Sequence, residues 1–594
     1  MNHPLEFYQE QKQLFEKELS LINQKLLKLS MVRLVVFLAI IFCGWFFFGN
    51  IKVLAPILAV GIALFLYLVS VYSDLKLLKQ KTQQLIQINK REINVLNGDL
   101  SELDFGDEFQ DPTHFFSYDI DLFGRGSFFQ YLNRTTIKTG KEKLASIFTE
   151  NKIEGINSKQ EAIKELADKP KWRQQFSATG SLIKVDASIE TIVNWLHQHT
   201  FFTPNSMRFL PNAFGLVSLG LFLLSYLDLI PNFVIVTWFF VGLGITGIYI
   251  KKINNLYLHA NKAKETFKQY HQLLAFIEAE TFTSEILKQQ KGAIKTDPDS
   301  NREKKASEIF LEFSKILDAF DQRNNMIIGI FANAFALRDL HHSYKIEQWI
   351  QTYLEKVDSW FEVIAFFDAQ NSLANFKFNH PDFSFPIISS EKTTIKASDL
   401  GHPLLSKEKR VSSSVTINTE EFFIITGANM AGKSTFLRTI SLSIVMANMG
   451  LPVCASSFEY APIKLITSMR TSDNLSEDES YFFSELKRLK FIVDTISQDS
   501  YFIILDEILK GTNSTDKAIG SRKFVQKLVA SNSTGIIATH DLSLCEITNE
   551  LPEVKNFYFD AEIINDELYF DYKLKDGICK NMNASFLLKK MEIV

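Results

Sequence analysis

Cysteine is scarce in this sequence. Its 594 residues hold four, Cys43, Cys454, Cys545 and Cys579. None forms a Cys-x-x-Cys pair and one lies inside an apolar run. No metal site and no disulfide framework is read from these cysteines, which suits a reducing compartment. A surplus of charge of one sign is missing too: 64 Lys and Arg against 68 Asp and Glu leave a net charge of −4. A polybasic protein that coats nucleic acid without specificity is thereby excluded, although a balanced total leaves room for a basic face. A cleaved signal peptide is not expected. The mostly polar residues 1–30 precede the first apolar run, and no small-residue cleavage site stands out. At this length several domains are expected.

What the chain does have is long runs without charge. Leu34–Phe48 and Val53–Ser73 are separated by "GNIK", and Phe209–Leu227 and Leu229–Ile250 by Asp228 alone. A spanning helix needs about 20 mostly apolar residues. Three runs meet that length, and the first does so if Met31 and Val32 extend it. The competing reading is a set of buried core helices. Two tight pairs, each with a polar tip, favour two transmembrane hairpins, with the lipid bilayer as a partner. Arg33, Lys76, Lys79 and Lys81 flank the first pair, and Arg208, Lys251 and Lys252 the second. Positive flanks stay in the cytoplasm. Four crossings then place both termini and the large segments on that side.

The organisation follows from these marks. Residues 1–32 read as an N-terminal amphipathic helix, 33–73 as the first hairpin, 74–208 as a helical core region and 209–250 as the second hairpin. Within the core region, Leu78, Leu85, Ile88 and Val95 form one heptad stripe and predict a packed helix. Residues 251–400 read as a helical lever or clamp-like region, interrupted by the polar stretch "GAIKTDPDSNREKKAS". From about residue 385 short apolar runs alternate with helices, the texture of buried parallel strands. Residues 401–594 are therefore expected to form an α/β domain.

That domain carries the chemistry. Gly427, Ala428, Asn429, Met430, Ala431, Gly432, Lys433 and Ser434 fit G-x-x-x-x-G-K-[ST], between an apolar run and a helix that continues through Thr435. Glycines there let backbone N–H groups curl around phosphates, and the helix N-terminus points its positive end at the anion. Lys433 supplies a charge for the β and γ phosphates, and the Ser434 hydroxyl is placed to ligate Mg²⁺. Further on, "YFIILDE" ends an apolar run with Asp506, expected to hold the Mg²⁺ shell, and Glu507, expected to orient and deprotonate an attacking water. "GIIATHD" ends another with Thr539 and His540, and His540 is a candidate γ-phosphate sensor. The bland alternatives are a chance glycine match, a solvated Asp-Glu turn and a structural histidine.

These motifs together resemble the MutS family of DNA mismatch-repair ATPases, whose nucleotide domain is related to those of ABC-type ATPases. "GHPLL" is similar to the family's entry into that domain, and "SDNLSEDESYFFSEL" to its ABC-like signature segment. "YKLKDGICKNMNASFLLKKMEI" is similar to its dimerising tail. The resemblance is strong over residues 400–594 and weaker over about 115–200 and 355–400. It implies a P-loop ATPase using ATP and Mg²⁺ and working as a homodimer, with Ser480 reaching the γ-phosphate of the other subunit's ATP. It also implies DNA, mismatched or branched, as partner. The chain departs from the family where function is decided. The N-terminal mismatch-reading domain with its Phe-x-Glu wedge is not expected, since residues 1–73 read as membrane hairpin instead, and "FLE" at Phe310 reads as a chance fit. Ala428 replaces a usual Pro, Ala431 a Gly, and Asp478 stands where the signature has a glycine. No residue is identified as the family's adenine-stacking aromatic.

The fold expected is thus an α/β P-loop domain of the ABC and MutS kind, after a mainly α-helical core and lever region carrying two membrane hairpins. The alternative function is a membrane ATPase with an ABC-like engine, acting in transport or membrane remodelling without DNA. Removing the Lys433 ammonium, as in Lys433→Ala, is expected to abolish tight nucleotide binding, measured with a fluorescent ATP analogue.

Overall fold

The computed structural model describes residues 3–183, 187–295, 304–389, 392–470, 481–564 and 567–579. Asp478, Ser480 and the tail beyond Cys579 lie outside them.

Two long helices open the chain, α1 (Pro4–Phe46) and α2 (Ile51–Leu96), packed side by side and joined by a short turn. Each is one unbroken helix, so the expected boundaries at residues 32 and 73 fall inside continuous helices. Their charge-free halves leave Val35, Trp45, Val60 and Tyr67 exposed. A helix in water hides such a face, whereas a helix in lipid presents it. Their polar halves do the reverse. Tyr8, Ile22, Leu85, Ile88 and Val95 are buried there, while Leu78, nearer the apolar half, is exposed.

The second pair is helix Leu210–Tyr226 followed by helix Phe233–Ala279. Among the described residues three helices are long and apolar enough to cross a membrane: α1, α2 and Phe233–Ala279. The fourth expected span, Leu210–Tyr226, has 17 residues, because Pro211 starts it and the turn around Asp228 stops it. One apolar element was not anticipated. Met326–Ala336, inside the stretch read as lever, is a short charge-free helix packed against this second pair.

Below the apolar halves lies a helical body. Its spine is the long helix Arg338–Asn379, packed on the lower half of Phe233–Ala279 and on helix Ala306–Asp321, with Trp360, Ile364 and Phe367 buried. Phe310 is fully buried there, ringed by Phe267, Trp360 and Phe361, so it is core and not a wedge. The first hairpin is rooted in the same spine by buried polar groups. Arg134 Nε donates to Glu92 Oε1 at 2.5 Å, and the Asn375 and Asn379 amides donate to Glu92 Oε2 at 3.1 and 3.0 Å. The Tyr8 hydroxyl lies 3.1 and 2.8 Å from the Oδ1 atoms of the same two asparagines.

The C-terminal region is α/β. In chain order its strands are β1 (Ile387–Ile388), β2 (Thr393–Leu400), β3 (Ser413–Asn418), β4 (Phe422–Gly427), β5 (Ser457–Tyr460) and β6 (Lys464–Ser468), then β7 (Tyr501–Asp506), β8 (Thr534–Ala538), β9 (Val554–Phe559), β10 (Glu562–Ile564), β11 (Glu567–Tyr569) and β12 (Leu574–Asp576). A four-stranded sheet has the order β1-β5-β2-β3, and a six-stranded sheet the order β12-β9-β4-β8-β7-β6. All neighbours in the larger sheet are parallel except the edge strand β12. The helical body docks on this domain through Arg488, whose guanidinium donates to the carbonyls of His114 and Phe115 at 2.9 and 2.7 Å. Asp119 accepts from Thr467 Oγ1 at 2.6 Å beside it.

Breaking a buried charge pair by removing one partner costs about 3–5 kcal/mol. Arg134→Ala is accordingly expected to destabilise the protein by that amount, read as a lowered unfolding midpoint of the detergent-solubilised chain. The double variant Arg134→Met, Glu92→Gln should recover part of the loss, since it strands no charge.

Candidate functional site

The site grows from the centre of the larger sheet. β4 is buried at every position, as "FFIITG" allows on both faces of a covered parallel sheet. Its register sets Ile425 beside Ala538, and Ala538 beside Asp506. The parallel strands β4, β8 and β7 therefore end together, and open α/β sheets bind ligands outside such carboxyl ends. Thr539 N–H donates to Ile425 O at 2.9 Å and Glu507 N–H to Ala538 O at 2.9 Å, which pins the residues just beyond the strands.

The glycine loop leaves β4 at Gly427, where φ is 152° and a Cβ would stand 2.6 Å from the Phe559 carbonyl oxygen. It enters helix Lys433–Asn448 at Gly432, which is left-handed with φ 108°. Asn429 and Met430 are exposed at the crest, and Ala428 and Ala431 are buried beneath it. Lys433 is buried, and its Nζ donates to the Gly427 and Ala428 carbonyls at 2.8 and 3.1 Å. Burial pushes this ammonium below its ordinary pKa, against the opposing pull of Glu507 and Asp506.

Four expected residues meet beside the loop. Ser434 Oγ donates to Asp506 Oδ2 at 2.7 Å. His540 Nε2 lies 3.0 Å from Glu507 Oε1 and 3.2 Å from Lys433 Nζ. One nitrogen cannot donate to the carboxylate and accept from the ammonium at once, so its tautomer chooses between them. The hydrogen bond from His540 holds the Glu507 carboxyl down at about 2, against the upward push of burial. Ser434 and Asp506 offer a hydroxyl and a carboxylate, hard oxygen donors that suit Mg²⁺. No group of three or more His, Cys, Asp or Glu able to hold a metal occurs among the described residues. Mg²⁺ fits that arrangement, because it commonly takes one or two protein ligands and completes its shell with phosphate and water. Thr435 is exposed one residue further along the helix. Ser480 lies outside the described residues.

Two features escaped the sequence reading. Glu507 and Leu509 have φ of 52° and 59°, a left-handed geometry that costs energy in non-glycine residues. Buried Glu485 holds this turn by accepting the N–H groups of Leu509 and Lys510 at 2.5 and 3.1 Å. Its only mark in the sequence is an acid within "YFFSELKRL". The second feature is a cavity of about 390 Å³ that opens beside Gly432 and Thr435 and is lined by His402, Phe436, Phe559 and Tyr572 among others. Tyr572 stands at the first position of the tail segment quoted above, yet its place beside Gly432 depends on β11 and β12 bringing the chain back.

The fold and site thus define a mainly helical body followed by an α/β domain with a glycine loop on its central strand. Residues 423–590 match the model of MutS domain V. The chain is similar to human "MutS protein homolog 4", 33% identical over 205 residues, which are 32% of this chain and 21% of that protein. It is similar to the "DNA mismatch repair protein MutS" of Staphylococcus haemolyticus, 27% identical over 274 residues, 44% of this chain and 30% of the relative. The protein of the same name from Staphylococcus aureus strain JH9 is 27% identical over 271 residues. The chain therefore matches less than a third of the length of these relatives. The likeness to the MutS family is carried by its domain V, over residues 423–590.

Removing a buried acceptor strands its donors, at about 1–3 kcal/mol. Glu485→Ala is expected to lower stability by that amount and to speed amide hydrogen exchange at Leu509 and Lys510. Glu485→Gln, which keeps one acceptor, should lose less.

Proposed function

We propose that the protein is a MutS-like ATPase that works as an ATP-gated homodimer at a membrane and acts on mismatched or branched DNA. The observation that carries the ATPase reading is the meeting of Ser434 with Asp506 at 2.7 Å and of Glu507 with His540 at 3.0 Å beside one glycine loop. In this reading the loop N–H groups from Gly427 to Ser434 and the following helix N-terminus bind the phosphates. Lys433 exchanges its carbonyl partners for phosphate oxygens. The cavity beside Gly432 takes the base, with Tyr572 and Phe559 as aromatic walls. Ser434 and Asp506 hold Mg²⁺, which would neutralise charge developing on the phosphates. Glu507, ionised through the physiological range, orients the attacking water and accepts its proton. His540 holds that carboxylate in place and senses the γ-phosphate. Ser480 is the residue the resemblance assigns to the nucleotide of a second copy.

DNA is supported by the names of the relatives and not by a basic surface in the composition. Membrane attachment is supported by the exposed apolar helices, with the termini and α/β domain on the cytoplasmic side from the lysine and arginine flanks. One observation favours the second reading, a membrane task without DNA: the first hairpin is rooted in the body by buried polar groups rather than tethered by a loose linker.

Glu507→Gln should leave an ATP-bound dimer that hydrolyses slowly, and hydrolysis at the parent rate would sink its assignment as base. Because the carboxyl sits low, its proton-accepting form is lost only as pH falls toward 2. His540→Ala, by removing the main cause of the depression, should move the acid limb of the rate profile to higher pH. Steady-state hydrolysis by the detergent-purified protein, alone and with intact, mismatched and branched duplexes at low and moderate salt, tests the DNA assignment. A rate changed by one DNA form names the substrate. Indifference to every form transfers the engine to the membrane task.

A further inference from the structure

The short helix Met326–Ala336 has no charged residue, and its outer face is apolar and open: Met326, Ile327, Ile328 and Phe331 are 76, 70, 51 and 55% exposed. Its inner face is fitted to the charge-free part of the second hairpin. At Gly242 a Cβ would fall 2.1 Å from the Ala334 carbonyl oxygen, so only glycine permits this crossing. Small residues at helix contacts are how helices approach closely in lipid. Ser218 Oγ donates to the Phe335 carbonyl at 2.7 Å and accepts from Trp238 Nε1 at 2.8 Å. The Phe331 and Phe335 rings lie 5.9 and 5.8 Å from that of Phe239. The partners on the hairpin are thus residues expected to lie within the bilayer.

The helix does not pass through to the other side. Arg323, before it, pairs with Asp339, after it, at 3.1 Å. Arg323 also donates to Asn254 at 2.8 Å, just beyond Lys251 and Lys252 at the base of the hairpin. The chain therefore enters and leaves at one level. With 11 residues the helix is about 16 Å long at about 1.5 Å per residue, half of a hydrocarbon core of about 30 Å.

We propose that Met326–Ala336 is a re-entrant membrane helix, seated in the leaflet next to the helical body with its outer face against lipid acyl chains. The proposal rests on the reading of the hairpins as membrane-crossing. Its occupant is lipid because the face is continuous with the exposed apolar surface of the hairpin and both ends are held at the polar base. The lever segment and the second hairpin then form one membrane unit, and the long helix Arg338–Asn379 starts at the bilayer surface.

The test places a fluorescent amino acid at Ile327 or Phe331 by stop-codon suppression, in the full chain reconstituted into phosphatidylcholine vesicles. Leu219 and Phe240 in the hairpin serve as controls. Ile327, 70% exposed and outside the ring contacts with the hairpin, is the position whose replacement leaves the packing intact; Phe331, also exposed, gives up its contact with Phe239. Expected is loss of fluorescence with lipids brominated close to the headgroup, and protection from aqueous iodide. Quenching by iodide alone, while the hairpin controls are quenched by lipid, overturns the proposal and leaves the hairpins standing. Quenching by neither agent means that a second copy covers the face, which also overturns it. Hairpin controls that no brominated lipid quenches overturn the membrane reading itself.

Discussion

The parallel register of β4, β8 and β7 is the constraint on which the candidate site depends. Three strands buried on both faces have only their ends free to carry polar groups, and parallel pairing delivers those ends to one edge. Gly427, Asp506 and His540 come from three separate stretches of chain and meet because Ile425, Ala538 and Asp506 share one line across the sheet. Once there, the groups restrain one another. Ser434 holds Asp506, His540 holds Glu507, and Glu485 holds the left-handed turn behind them. That turn stores strain, which persists only where surrounding bonds over-determine it.

The long helix Arg338–Asn379 connects this site to the apolar elements. It begins beside Met326–Ala336 and the second hairpin. About three-quarters of the way along, Asp368 accepts the Thr136 and Ile137 N–H groups at 2.9 and 3.1 Å, and burial pushes its carboxyl up to about 6. At its far end Asn375 and Asn379 grip Glu92 and Tyr8, and the chain then passes to β1. Buried polar groups have no water to fall back on when a partner moves. A shift of this helix is therefore transmitted to both hairpins or is resisted by both, a connection that a flexible linker would not make.

The glycine loop, the acids after "YFIIL" and the histidine after "GIIAT" were legible because each sits at the end of an apolar run, and a buried strand exposes only its ends. The helix stripe was legible at Leu85, Ile88 and Val95 for a similar reason, a period matched to one buried face. Leu78 broke the stripe because it lies nearer the hairpin's exposed apolar half, where outward-facing apolar side chains are the rule. Met326–Ala336 was missed because a charge-free stretch of eleven residues, apolar but for Asn333, is too short to stand out as a span inside a region read as a lever. Its packing on Gly242, Ser218 and Phe239 is visible only in the tertiary structure.

By itself the sequence determined the local chemistry: which residues carry charge, which turns need glycine, which runs are too apolar for water, and which family the last two hundred residues resemble. These are properties of neighbours along the chain. The tertiary structure alone decided that Ser434 touches Asp506, that Glu485 steadies the turn of Glu507, that Tyr572 borders the cavity beside Gly432, and that the first hairpin is fastened to residues more than 200 positions away. The reason is physical. Pairings between distant segments depend on strand order and helix packing, which balance many small contacts at once, and no short window of sequence contains that balance.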